Sequence, residues 1–120
     1  MTEGARDLVW PDLAEGGWRS LAFEPFRDRV EIHWLERGTG GEPSVALLRY
    51  AAGARVPRHR HAGLETIVVL DGAQSDAHGT YAKGSVVINR PGTSHEVWSD
   101  EGCVVLIQWD RPVEILGDEE

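Results

Sequence analysis

The sequence predicts an all-β fold, a single antiparallel sandwich or barrel built from 120 residues. Three observations carry this prediction. The apolar runs are short, rich in Val and Ile, and closed at each end by turn residues. They recur roughly every 15 to 20 residues along the chain. No long segment of 3.6-residue periodicity lies between them, so helices have no amphipathic face from which to form.

Taken in order, residues 1–29 form an N-terminal extension in which Leu13 to Phe26 suits a loop, a helical turn or an edge strand. Strands are expected at "VEIHWLE" (30–36), "SVALLRY" (44–50), "TIVVL" (66–70), "SVVIN" (85–89) and "CVVLIQW" (103–109). The segments "GTGGEP", "AAG", "DG", "AKG", "RPG" and "DEG" punctuate them, Gly supplying the positive φ that tight turns need. The barrel spans 30–112, and residues 113–120, ending in "ILGDEE", read as a solvated acidic tail. One domain accounts for the whole length.

Composition narrows the partners. Apolar and charged fractions of 41% and 27% are those of a soluble globular protein. A net charge of −8 repels phosphate backbones and anionic lipid, which argues against nucleic-acid and membrane-surface binding. The opening "MTEGARDLVW" lacks a basic, then apolar, secretory pattern, and no run approaches the roughly 20 apolar residues of a membrane helix. The single cysteine, Cys103, forms no internal disulfide and builds no cysteine-rich zinc site. A cytoplasmic protein is the expectation.

The chemistry concentrates in "RHRHAGLETIVVLDG", residues 58–72. Along an extended chain, alternate side chains share a face, so His59, His61 and Glu65 point the same way as Ile67 and Val69. Two imidazoles and a carboxylate directed into an apolar interior each cost a few kcal/mol unless satisfied. A divalent cation satisfies all three at once. His95, in "NRPGTSHEVW", opens another extended segment that an antiparallel neighbour brings beside them. The expected metal ligands are therefore His59, His61, Glu65 and His95.

These residues also carry a family resemblance. "GARVPRHRHAGLETIVVLDG" resembles the first cupin motif, G-x5-H-x-H-x3-E-x6-G, matching at Gly53, His59, His61, Glu65 and Gly72. "GSVVINRPGTSHEVWS" is similar to the second, G-x5-P-x-G-x2-H-x3-N, at Gly84, Gly92 and His95; Arg90 and Ser99 replace its proline and asparagine. A closer similarity is to the ChrR-type cupin domain, through "DAHGTYAKGS", "PGTSH" and "SDEGC". The resemblance implies an antiparallel double-stranded β-helix, the jelly-roll barrel of cupins. Such domains include the cupin half of zinc-binding anti-sigma factors and some iron-dependent dioxygenases that cleave diketones. Full-length anti-sigma factors add an N-terminal helical zinc domain with cysteine ligands. This sequence has no such cysteines, so sigma-factor inhibition by that domain is not expected of it. The resemblance also implies a homodimer.

The remaining polar residues are assigned by parity. Arg58 and Arg60 point away from the ligands, and Trp98 points away from His95. Val97 shares His95's face and lines the pocket with Ile67 and Val69, while Arg90, on the turn that leads to His95, is either a plain surface arginine or one that reaches the cavity mouth to attract an anion. His33 and His78 belong on an exposed face and a loop, and Cys103 is a core residue. Gly53, Gly72, Gly84 and Gly92 fix the turns between ligand-bearing strands.

Three imidazoles and one carboxylate suit Zn(II), Fe(II), Mn(II) or Ni(II). Around tetrahedral zinc they close the shell; around octahedral iron or manganese they leave about two positions open. Two functions follow: a metalloenzyme of dioxygenase type acting on a small enolisable molecule such as a diketone, or a non-catalytic zinc module that binds a ligand or senses an oxidant. No general base apart from the ligands is evident.

Overall fold

The computed structural model describes residues 8–117. Ten strands form one antiparallel sheet that curls into a half-barrel. They are β1 (Glu24–Arg27), β2 (Val30–Glu36), β3 (Ser44–Tyr50), β4 (Ala54–Arg60) and β5 (Glu65–Asp76), then β6 (Gly79–Ala82), β7 (Val86–Asn89), β8 (Ser94–Ser99), β9 (Cys103–Trp109) and β10 (Glu114–Ile115). The main path runs β1-β2-β3-β9-β5-β8-β4-β10, with β6 and β7 attached to β5.

β5 joins the two halves of the curl. Its first half, Glu65–Val68, lies between β7 and β9, whereas Ala73–Asp76 pairs with β6 and Ser75 meets Trp98 of β8. The change of partner falls at a register shift between Val69 and Asp71. A bulge there adds one residue, bends the strand and reverses which parity faces inward. Gly72 completes the bend at φ 71°, and a Cβ there would collide with the Gly102 carbonyl, so glycine is required.

Period-two alternation builds the interior. Val30 and Ile32 stand opposite Tyr50 and Leu48; Leu48 and Ala46 stand opposite Val105 and Ile107, and these face Val69 and Ile67. All are buried in one cluster with Val56, Val97 and Cys103. The outer face carries a second cluster in which Leu47, Leu70 and Val104 lie under Trp18. Trp18 comes from two short 3-10 turns, Leu13–Glu15 and Gly17–Ser20. The N-terminal stretch thus contains loop, helical turn and edge strand together, because it caps the outer face before entering the sheet as β1.

The sequence reading differs from the structure at several places. The expected strand 66–70 is part of the first half of a twelve-residue β5. The expected acidic tail begins as a strand: Glu114 and Ile115 pair with Arg60 and His59, and Glu114 accepts a hydrogen bond from Arg60. His33 is half-buried, its Nδ1 bonding the Ala22 carbonyl, because the N-terminal segment covers its face. His78 is exposed in the β5–β6 turn. Among the described residues, no helix is long and apolar enough to cross a membrane.

Candidate metal centre

β4 and β8 pair with His59 directly opposite His95. A register shift between Val56 and His59 turns both of those residues inward although they differ in parity. His61 follows as the chain leaves β4 for β5, its N–H donating to the Thr93 carbonyl. Ring centroids of the three histidines lie 4.7–5.1 Å apart in tilted, edge-on pairs. Their nearest donor nitrogens all fall within 4.8 Å of one another.

Each imidazole is fixed from behind. The Pro57 carbonyl accepts from His59 Nδ1 at 2.9 Å, and Asp76 Oδ2 accepts from His95 Nδ1 at 3.2 Å. Thr93 donates its hydroxyl proton to the Arg90 carbonyl at 2.6 Å, so its oxygen accepts from His61 Nδ1 at 2.9 Å. All three histidines therefore carry the proton on Nδ1 and present the Nε2 lone pair to the centre. His61 Nε2 and His95 Nε2 are buried with no hydrogen-bond partner among the described residues. Each such orphan costs about 1–3 kcal/mol. A divalent cation removes both penalties, and outward Nδ1–H contacts are the usual support of metal-binding imidazoles. The residues fit a metal ion.

Burial, the largest influence, holds His59 and His95 below the usual histidine range, which keeps their lone pairs free. Glu65 lies beside the trio, Oε1 being 3.4 Å from His61 Nε2 and accepting from Asn89 Nδ2 at 2.8 Å. Burial pushes its pKa up, but the contacts with His61 and Asn89 outweigh burial and hold it below the usual carboxylate range. Asp76 is likewise depressed against its burial by hydrogen bonds from Tyr81, the His78 N–H and His95.

A cavity of about 440 Å³ reaches this centre, with His59, Glu65 and His95 in its wall. Its sides are apolar, from residues such as Leu48, Val56 and Ile107, and Gln74 and Tyr50 are polar points within it. Phe26, Trp34 and Trp109 form an aromatic rim with centroids 6.0–6.3 Å apart. Of the pocket residues expected from sequence, Ile67 and Val97 line the cavity. Val69 is buried in the core and is not part of the wall. Arg90 is exposed and also absent from the wall. It follows Val86 and Ile88, which face outward along β7, and the same parity carries its side chain out. Arg58 and Arg60 are exposed, and Trp98 lies under Arg55.

Several contributors carried little or no sequence signal. Asp76, Thr93 and Asn89 act only through hydrogen bonds across the fold, and the rim aromatics Phe26 and Trp34 stand far from the motifs in sequence. Only the second motif hinted at Thr93, by placing it two residues before His95.

A jelly-roll half-barrel with three inward histidines beside an apolar cavity is the architecture of a cupin. The chain belongs to the ChrR cupin-like domain family, whose profile matches residues 11–111. It is 35% identical over 109 residues to the anti-sigma-E factor ChrR of Cereibacter sphaeroides, a match covering 89% of this chain and 48% of that protein. The chain thus spans about half the length of this relative. The structure of Rhodobacter sphaeroides SigE in complex with the anti-sigma ChrR matches at TM-score 0.69 and 27% identity, over 82% of this chain and 54% of that one. An acetylacetone dioxygenase from Acinetobacter johnsonii matches at TM-score 0.75 over 98% of this chain and 81% of that one; at 15% identity it shares the fold.

Proposed function

We propose that the chain holds one divalent metal ion, zinc, iron(II), manganese or nickel, on His59, His61, His95 and Glu65. In this reading the cavity takes a small oxygenated, enolisable molecule, and with iron the reaction is oxygen-dependent cleavage of a diketone. The observation that carries it is a 440 Å³ cavity whose wall includes His59, Glu65 and His95. A bound ion supplies Lewis acidity toward a ligand oxygen and, if it is iron, redox chemistry with dioxygen.

The chain's own residues do the rest. Pro57, Thr93 and Asp76 keep the imidazole protons on the outer nitrogens. The apolar walls exclude water and strengthen polar contacts inside. Tyr50 accepts a hydrogen bond from Gln74 Nε2 at 3.3 Å, which leaves its own proton to orient a ligand oxygen. Burial, first among several influences, raises the Tyr50 pKa far above its ordinary value, so it stays a donor. Glu65, held ionised, takes an enolic proton if it leaves the metal.

A second reading, a non-catalytic zinc-binding cupin that binds a ligand or senses an oxidant, is favoured by the 35% identity to ChrR over most of this chain. Either reading has the chain acting as a cytoplasmic homodimer. Its support is the single thiol and the exposed Val86 and Ile88 on β7, a strand at the sheet's margin.

Metal analysis of protein purified without oxygen or chelator, with X-ray absorption for coordination number, separates the readings. Five- or six-coordinate iron, together with acetylacetone-dependent oxygen uptake, supports the enzyme. Four-coordinate zinc without oxygen uptake supports the sensor. Full metal occupancy in His61→Ala refutes the site itself, and light scattering tests the dimer.

A further inference from the structure

We infer that the cavity is built for an anionic ligand, a carboxylate on an apolar body, held at the mouth by Arg27, Arg37 and Arg111. This rests on the proposed small-molecule function and narrows its ligand class. All three arginines line the cavity that reaches the histidines. In a chain of net charge −8, three guanidinium groups around one apolar opening are a local inversion of sign. Glu42 is the one carboxylate facing them in the wall besides Glu65, which stands with the histidines.

Like Arg19, Arg29, Arg58 and Arg90, these arginines have no carboxylate partner among the described residues, and they alone of that group line the cavity. Arg49, Arg55 and Arg60 are paired with Glu31, Glu96 and Glu114. Arg27, Arg37 and Arg111 make no ion pair among the described residues. Two of them are held at the rim by aromatic faces: Arg37 lies 4.4 Å from the Trp34 ring centroid and Arg27 lies 5.7 Å from that of Phe26. Stacking of this kind leaves the edge of the guanidinium free, and the planar fork matches a carboxylate with two parallel hydrogen bonds. Arg27 is half-buried and shares the cavity wall with Tyr50. Low-dielectric walls focus the combined field into the opening. A ligand with its carboxylate at the arginines and its carbonyl oxygens toward the histidines satisfies both ends.

The test compares 2,4-dioxo-4-phenylbutanoate with its methyl ester, which shares the skeleton and lacks the carboxylate charge. Both are titrated by calorimetry, and by tryptophan fluorescence reporting on Trp34 and Trp109, into the chelator-treated full chain. The acid is expected to bind about tenfold or more tightly than the ester, a preference that weakens with added salt. The combined variant Arg27→Gln/Arg37→Gln/Arg111→Gln should bring the two affinities together while the ester's stays within about twofold of its starting value. The rim variant Arg37→Gln alone should reduce the acid's advantage by about threefold, which covers the case where the combined variant does not fold. Equal binding of acid and ester, failure of both to bind, or an undiminished preference in Arg37→Gln and the combined variant overturns the inference. Because the protein is metal-free, failure of the metal reading shows separately, as absent zinc uptake beside an intact preference for the acid.

Discussion

Replacing Asp76 by Asn tests whether the outer hydrogen bonds set the metal-binding tautomers. Asp76 Oδ2 accepts from His95 Nδ1 at 3.2 Å, while Oδ1 accepts from the Tyr81 hydroxyl and the His78 N–H, each at 2.8 Å. An asparagine fits the same space but replaces one acceptor with a donor. Facing two donors, its oxygen belongs on the Tyr81 and His78 side, which aims the amide N–H at His95 Nδ1. His95 then accepts at Nδ1, carries its proton on Nε2, and points a proton where its lone pair stood. Loss of such an outer partner lowers metal affinity about 10–100-fold, or about 1.4–2.7 kcal/mol. The flipped amide would instead cost the His78 N–H its acceptor, at about 0.5–1.5 kcal/mol of stability. Zinc affinity from chelator competition and melting with and without zinc read the two outcomes apart. Tyr81→Phe, which leaves the His95 contact in place, should change zinc affinity less than about threefold. Wild-type zinc affinity together with unchanged melting in Asp76→Asn would refute the reasoning.

Three further outcomes follow from burial and backbone geometry. In metal-free protein, His59 and His95 titrate below their ordinary 6.5 because burial penalises the charged ring. Between the folded and unfolded values the unfolded chain binds more protons, so stability present above pH 6.5 falls as the pH drops. Urea midpoints between pH 7.5 and 5 should decline, and a flat profile would count against it. At the other end, burial pushes the Cys103 thiol from 9.0 up to about 11. The protonated thiol is favoured by folding, so roughly 2–3 kcal/mol is lost as the pH rises from 9 towards 11. Cys103→Ala should flatten that alkaline loss in denaturant titrations. Gly72→Ala places a Cβ against the Gly102 carbonyl at a φ of 71° and should destabilise by about 2 kcal/mol or more, roughly 8 °C or more in Tm by calorimetry.

The trio was legible because its spacing survives two departures from a plain strand. Alternation places His59 and His61 inward, and they are inward, but His61 lies beyond the end of β4 and is anchored by Thr93. The bulge between Val56 and His59 is invisible in a run where both residues suit an interior. The second half of β5 was lost for a related reason. "DGAQSDA" has the composition of a turn, yet Gln74, Ser75 and Asp76 are all buried. Their polar side chains meet Tyr50, Thr80, Tyr81 and His95, partners that come from three other strands of the chain. Polarity alone read them as solvated, and only the tertiary pairing reverses that. Arg90 failed for the opposite reason: nearness to His95 in sequence says nothing of direction once β7 turns its even-numbered residues outward.

The two bulges also explain how one short barrel holds both the inward histidines and their supports. Without the shift at Leu70, β5 would keep a single inward parity from Glu65 through Asp76, and the even-numbered Gln74 and Asp76 would face solvent. The extra residue turns them in, so a single strand carries the carboxylate at one end and the Asp76 that orients His95 at the other. Without the shift before His59, either Val56 or His59 would leave the interior, costing an apolar contact or a ligand. Each bulge exchanges ladder regularity for placement of a polar group. Such bends belong where a side chain must be aimed. Deleting one residue from Pro57–Arg58 should therefore regularise the β4–β8 ladder with Val56 and His59 both inward and keep zinc binding, whereas deleting both should turn His59 outward and abolish it. A folded double deletion that keeps full zinc affinity would break the link between strand parity and site.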